Sequence, residues 1–263
     1  MIESYLAIPG AIAIGISLGL LGSGGSILTV PVLVYLVGQD EKVAIAGSLF
    51  VVGSIALVGS LQFLSAKLIQ WRSVLVFGTP GMAGAWFGAY LAAWVPGTTQ
   101  LALFAIVMLI ASWLMLRPLN LEHANSAPRE AWKIATDGLI VGVITGLVGV
   151  GGGFLIVPAL VLLGGLSMRQ AVATSLVIIA LKSFSGFFKY LDVLAQQSLS
   201  LDWPTLLLVT GLGIAGSFAG SYFAKKMPQD KLKKGFGYFL ILMGAYILVR
   251  SVPTALGLAG SVS

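Results

Sequence analysis

Two short glycine runs are places where this chain can do chemistry with its backbone. Gly22-Ser23-Gly24-Gly25 and Gly149-Val150-Gly151-Gly152-Gly153 interrupt stretches that are otherwise apolar. Glycine costs about 1 kcal/mol per residue in a helix interior, so three or four together predict a break. A new half-helix then starts near Ser26 and near Phe154. Its first N–H groups lack intrahelical partners and carry the positive end of the helix dipole. The ligand such an end takes is an anion. The expected contacts are Ser23, Gly24, Gly25 and Ser26 in one run and Gly151, Gly152 and Gly153 in the other, with the serines adding hydroxyl donors. If the two N-termini meet near mid-membrane, they form one anion site. Other glycines read as packing. Gly138, Gly142 and Gly146 are spaced by four, as are Gly84 and Gly88, and Gly216 and Gly220, which suits close helix contacts. The breaks differ because both recur with a following proline, Pro31 and Pro158.

A second candidate is Lys182, in the middle of the apolar stretch VIIALKSFSGFF. A cation at that depth costs a few kcal/mol and is a functional hypothesis by default. It suits contact with an anionic substrate, or proton coupling, for which Asp137 is the other candidate. The alternatives are snorkelling or pairing with an acid. Ser48, Thr174, Ser175 and Gln62 are polar positions in apolar segments. They suit either a substrate cavity or helix–helix hydrogen bonds.

Other chemistries are excluded by what is missing. There is no cysteine, and the one histidine, His123, lies in the most polar stretch. Thiolate metal sites, cysteine nucleophiles and multi-histidine centres are therefore ruled out. No metal site and no cofactor are expected. Gly22-Ser23-Gly24 suggests a membrane serine protease, but a serine nucleophile needs a base within reach. The glycine runs lack the Gly-Lys-Ser/Thr ending of a phosphate loop. An enzyme is not expected, because no cysteine, no clustered carboxylates and no histidine outside the connecting loop are available for general acid–base work.

The elements that position these residues follow from composition. The 263 residues carry 15 basic and 9 acidic side chains, 9% charged, against roughly 25% in soluble domains. The charge-free runs Ser4 to Gln39, Ser73 to Leu116 and Gly138 to Met168 each exceed the roughly 20 residues that span a bilayer. This predicts an all-α, multi-pass membrane protein with the lipid bilayer as its main partner. The acidic start Met1-Ile2-Glu3-Ser4 and the length of the first run argue against a signal peptide. The net charge of +6 reads as cytoplasmic loop lysines and arginines rather than nucleic-acid binding.

The chain is a duplicated half. Residues 15–34 and 142–161 share eleven of 20 positions at an offset of 127, which also pairs Ser48 with Ser175. An offset of 132 aligns Gly81, Gly84, Gly88 and Pro96 with Gly213, Gly216, Gly220 and Pro228. The division is a first transmembrane repeat at 1–117, a cytoplasmic connecting loop at 118–130 and a second repeat at 131–263. Lys67 and Arg72 follow the second segment of the first half, while Asp192 and Asp202 bracket the matching loop. The loop at 95–100 is uncharged, and its counterpart carries Lys225, Lys226, Lys231, Lys233 and Lys234. Opposite bias in matching loops predicts inverted-topology repeats, by the positive-inside rule. Inversion needs an odd number of crossings per half. Each half is then a glycine-broken helical hairpin (5–37 and 134–165) plus three transmembrane helices, with both termini periplasmic. The alternative is a parallel duplication of eight straight spans.

The paired motifs GLLGSGGSILTVP at 19–31 and GLVGVGGGFLIVP at 146–158, with AIAGSLFVV at 44–52 and AVATSLVIIALKSFSGFFKYL at 171–191, resemble the sulfite exporter TauE/SafE family of membrane transporters (toluene sulfonate uptake permease-like). The resemblance covers essentially the whole chain. Ser26 stands where the second copy has Gly153, a departure from symmetry between the halves. The resemblance implies secondary transport of sulfite, sulfonate or a related small oxyanion across the bacterial inner membrane. An anion channel of the same architecture and a carrier of another small organic anion are the alternatives. The resemblance is compatible with a homodimer, although no interface is identifiable in the sequence.

Overall fold

A computed structural model describes residues 2–22, 24–64, 66–116, 130–149 and 153–255. The described residues are helical, with no strand among them. We number the helices α1 (Ile2–Leu21), α2 (Gly24–Pro31), α3 (Glu41–Leu64), α4 (Trp71–Trp94), α5 (Gly97–Leu116), α6 (Ala131–Val148), α7 (Gly153–Pro158), α8 (Met168–Gln196), α9 (Trp203–Lys226) and α10 (Gln229–Ala255). Among them, α3, α4, α6, α8 and residues Trp203–Ala224 of α9 are long and apolar enough to cross a membrane. The connecting loop lies outside the described residues except Glu130.

The breaks form where glycine is needed. Gly22 and Gly149 both end their helices in the left-handed region, at φ +70° and +72°, which glycine adopts without steric cost. Each donates its N–H to the carbonyl four residues back, Leu18 and Thr145. The half-helices that follow begin at Gly24 and Gly153, slightly earlier than Ser26 and Phe154. Each is then loosened by its proline. Pro31 and Pro158 cannot donate to the helix ladder, and π-turns follow at Val32–Leu36 and Ala159–Leu163. In the first hairpin, α2 runs back along α1: Gly25 lies against Ile14 and Leu18, and Gly10 against Val32 and Leu36.

Helices of one half pack on helices of the other. α1 lies on α9 and α4 on α6, each pair parallel and in backbone contact through the glycine stripes. Gly15 meets Gly213 and Gly216 meets Ile12, while Gly142 meets Gly81 and Gly84. Small residues allow this approach, which apolar packing in lipid favours. α3 and α8 are deeply buried and cross each other antiparallel, with Gly53 against Ser183, Leu49 against Gly186 and Gly59 facing Leu176. The outer helices turn Trp86, Trp113, Trp132 and Tyr222 outward. Such a surface suits lipid rather than water.

Candidate anion path and its two mouths

The helix directions correct one expectation. The two breaks do not meet at mid-depth. Gly22 lies against Val172, near the start of α8. Gly149 lies against Ile45 and the Tyr190 hydroxyl, near the other end of the same helix. From Ser48 to Gly59 along α3, or from Ser175 to Tyr190 along α8, the helical rise puts the breaks about 16–22 Å apart. The reason is that α2 and α7 start from opposite ends of the bundle, in contact with each other between the breaks. We call these the Arg169 end, which holds the first break, and the Lys42 end, which holds the second.

Ser48 and Ser175 serve the backbone of the breaks. Ser48 Oγ donates toward Gly149 O at 2.7 Å and Ile45 O at 2.8 Å. Ser175 Oγ donates toward Gly22 O at 3.1 Å and Val172 O at 2.9 Å. Each serine thus holds the break of the opposite half. Thr174 Oγ1 accepts the Gln70 N–H at 3.0 Å, which ties down the stretch between α3 and α4. Gly24 opens α2, Gly25 is wedged against the Ile14 carbonyl, and Ser26 and Gly153 are buried. Ser23, Gly151 and Gly152 lie outside the described residues.

Lys182 lies between the two breaks. It is 1% exposed, and its Nζ has no hydrogen-bond partner among the described residues. On α8 it is midway between Ser175 and Tyr190, so it sits midway in depth between the breaks. Its arm passes over Gly81, beside the Gly138 carbonyl. Asp137 precedes Gly138 and is half-buried. The matching position in the first half is Ile55, which fills the equivalent niche at Gly213. The fold therefore offers two equivalent apolar niches, one holding an isoleucine and the other a cation. The neighbouring Ser183 faces Gly53, and its Oγ is also unpartnered.

The two ends are built alike but differ in how their cation is held. At the Lys42 end, Gln100 Nε2 donates to Leu147 O and, at 2.9 Å, to the Tyr190 hydroxyl. The hydroxyl donates in turn to Leu147 O at 3.1 Å. Lys42 is buried and its Nζ donates to Ala92 O and, at 2.6 Å, to Val95 O, the carbonyls that end α4. The repeat equivalents at the other end are Phe63 for Tyr190, Leu20 for Leu147 and Arg169 for Lys42. Around them lies a cavity of about 260 Å³ that also includes Gln62. The equivalent carbonyls, Ala224 and Met227, carry the same local turn: Met227 N donates to Ala224 O at 3.3 Å, as Val95 N does to Ala92 O. Arg169 is exposed and occupies neither carbonyl. A second cavity, of about 380 Å³, lies beside Lys42, so the two ends differ in how their cation is held.

Sequence reasoning missed Lys42, Gln100, Tyr190 and Arg169. The offset of 127 that pairs Lys42 with Arg169 was a usable signal for those two. For Gln100 and Tyr190 there was none, because their meeting depends on how α5 and α8 pack.

The comparisons with known proteins agree with this architecture. The family model for the sulfite exporter TauE/SafE matches residues 7–247. A probable membrane transporter protein of Xylella fastidiosa (strain Temecula1 / ATCC 700964) is 32% identical over 90% of this chain and 92% of its own. The probable membrane transporter protein YunE of Bacillus subtilis (strain 168) is 31% identical over 89% and 93%. One from Methanocaldococcus jannaschii is 24% identical over 94% and 97%. No solved structure matches. A multi-pass helical chain with paired glycine breaks, matched over residues 7–247 by that family's model, is a membrane transporter protein belonging to the sulfite exporter TauE/SafE family.

Proposed function

We propose that the protein is a secondary transporter of a small sulfur-containing oxyanion, sulfite or a sulfonate, across the bacterial inner membrane. The observation that carries this reading is Lys182: a buried cation with no partner among the described residues, midway between two helix breaks, with a cavity at each end of the bundle. A buried unpaired cation is retained at a cost, and a passing anion offsets that cost. The half-helix starts at Gly24 and Gly153 act at the two mouths rather than in one shared pocket. Lys182 and Asp137 are the candidates for proton coupling.

The two halves are read as inverted repeats. The antiparallel crossing of the equivalent helices α3 and α8 supports this, as does that of α5 and α10, where Ser112 and Leu116 meet Gly237 while Leu109 meets Gly244. The Arg169 end also carries Lys67, Arg72, Lys226, Lys231 and Lys234, which makes it cytoplasmic by the positive-inside rule and both termini periplasmic. Transport then alternates access: one mouth latches as the other opens.

The test is Lys182→Ile, which copies Ile55 and its niche. In proteoliposomes the variant should fold with wild-type or higher thermal stability and lose sulfite and sulfonate flux. Wild-type flux by a folded Lys182→Ile protein would overturn the reading.

A further inference from the structure

We infer that a groove on the outer surface, between α3, α4 and α8, binds one acyl chain of a zwitterionic phospholipid, phosphatidylethanolamine, whose headgroup sits on Lys189 and Asp192. The groove encloses about 400 Å³ and its wall is apolar: Leu57 from α3, Met82 and Trp86 from α4, and Leu181, Phe184 and Phe188 from α8. α3 and α8 are otherwise deeply buried, and here they surface, with Leu57 51% and Phe188 65% exposed. The α8 wall runs from Ala180 to Phe188. That is a rise of about 12 Å, against about 15 Å for one leaflet of the hydrocarbon core. It starts level with Lys182, midway in depth, and climbs toward the Lys42 end.

A charge pair stands where the groove ends. Leu181, Ser185, Phe188 and Asp192 recur at spacings of four, three and four, so they form one stripe along α8, and Asp192 continues the wall by one turn. Its carboxylate is 2.9 Å from Lys189 Nζ. That ammonium also lies over the rings of Trp86 and Tyr90, 5.2 and 5.5 Å from their centroids. Trp86 thus belongs both to the groove wall and to the seat of the cation. Trp86 stacks on Tyr90, and Tyr90 meets Trp94 edge-on, an aromatic ladder toward the Lys42 end. Tryptophan and tyrosine settle at headgroup depth. The Asp192 side chain is 62% exposed, and an ion pair this open contributes little by itself, so it can exchange partners. A lipid phosphate takes the Lys189 ammonium, and a primary ammonium donates to Asp192, which leaves every charge with an opposite partner. Phosphatidylglycerol brings a phosphate near Asp192 with no ammonium to answer it. Phosphatidylcholine has no N–H to donate. The apolar wall supplies affinity and the charge pair supplies selectivity.

The test is native mass spectrometry of the purified full chain with added phosphatidylethanolamine, phosphatidylglycerol and phosphatidylcholine of the same acyl chains. One phosphatidylethanolamine should be retained per chain, about fivefold tighter than either of the others, the range of one partly exposed ion pair. Asp192→Asn alters an exposed side chain and should remove that preference. Leu57→Trp fills the deep end of the groove and should weaken all three lipids. Equal affinity for the three headgroups, an unchanged preference in Asp192→Asn, or wild-type lipid binding by Leu57→Trp would overturn the proposal. A dimeric mass with no retained lipid would also overturn it and assign the face to a second copy of the chain. All of these readouts are of lipid binding, so they are decided separately from the flux of Lys182→Ile.

Discussion

Ser48 and Ser175 each close on the backbone break of the other half: Ser48 Oγ reaches Gly149 O at 2.7 Å, and Ser175 Oγ reaches Gly22 O at 3.1 Å. The two bonds are one interaction made twice by a duplicated sequence. Interhelical hydrogen bonds of this kind contribute about 0.6 kcal/mol on average in membranes, with a maximum near 1.7. Ser48→Ala and Ser175→Ala should each lower stability in that range, and Ser48→Ala should be the costlier because its bond is shorter. Equilibrium unfolding in mixed detergent micelles measures this. No effect from either variant would remove the structural role.

The Lys42 latch predicts a shift in accessibility. Hydrogen bonds from a charged group contribute about 1.5–3 kcal/mol, so losing the latch moves a two-state equilibrium by about tenfold or more. The chain has no cysteine, which makes single-cysteine probes clean. Ala89 is buried at the Lys42 end, at the position matching Ser221. In a Lys42→Met background, Ala89→Cys should react faster with a water-soluble thiol reagent and Ser221→Cys more slowly. If both rates stay unchanged, Lys42 does not control the mouth.

Glycine substitutions should separate packing from freedom. A Cβ on Gly142 would lie 2.4 Å from the Gly81 carbonyl oxygen, whereas one on Gly211 meets nothing within 4 Å. Gly142→Ala should destabilise by about 1–3 kcal/mol by forcing α4 and α6 apart. Gly211→Ala should stabilise by about 0.5–1 kcal/mol, because it improves helix propensity without a clash. Thermal unfolding of the two variants checks the pair.

Inversion can be tested from the loops. Ala66 and Gln197 are exposed and follow equivalent helices, α3 and α8. Inverted halves put them on opposite sides of the membrane; eight straight spans put them on the same side. Single cysteines at the two positions, labelled in intact cells with an impermeant reagent, decide it. Labelling of Ala66→Cys and Gln197→Cys from the same side would refute inversion.

Much of the architecture was legible before any coordinates, because it rests on local rules. Glycine runs in apolar stretches break helices, and the same offset of 127 that relates the motifs relates Gly22 to Gly149 and the π-turn at Val32–Leu36 to that at Ala159–Leu163. Lys182 was legible because a buried cation conflicts with its surroundings wherever the helix sits. The relative depth of the breaks was not legible. It depends on the register at which α3 and α8 cross, and no pattern within one helix encodes its register against another. Lys42 was hidden for a similar reason: beside Asp40 and Glu41 it reads as an ordinary interfacial charge, and its carbonyl partners are some fifty residues away.

The pairings α1 with α9 and α4 with α6 carry one more implication, about how such a chain comes to exist. Each pair takes one helix from each half, so the inherited unit and the packed unit are different objects. A lone half would leave its glycine stripes facing lipid with nothing to meet them. The two copies are tenants of each other's structure, and fusing them into one polypeptide guarantees the one-to-one supply that the intertwined pairs require.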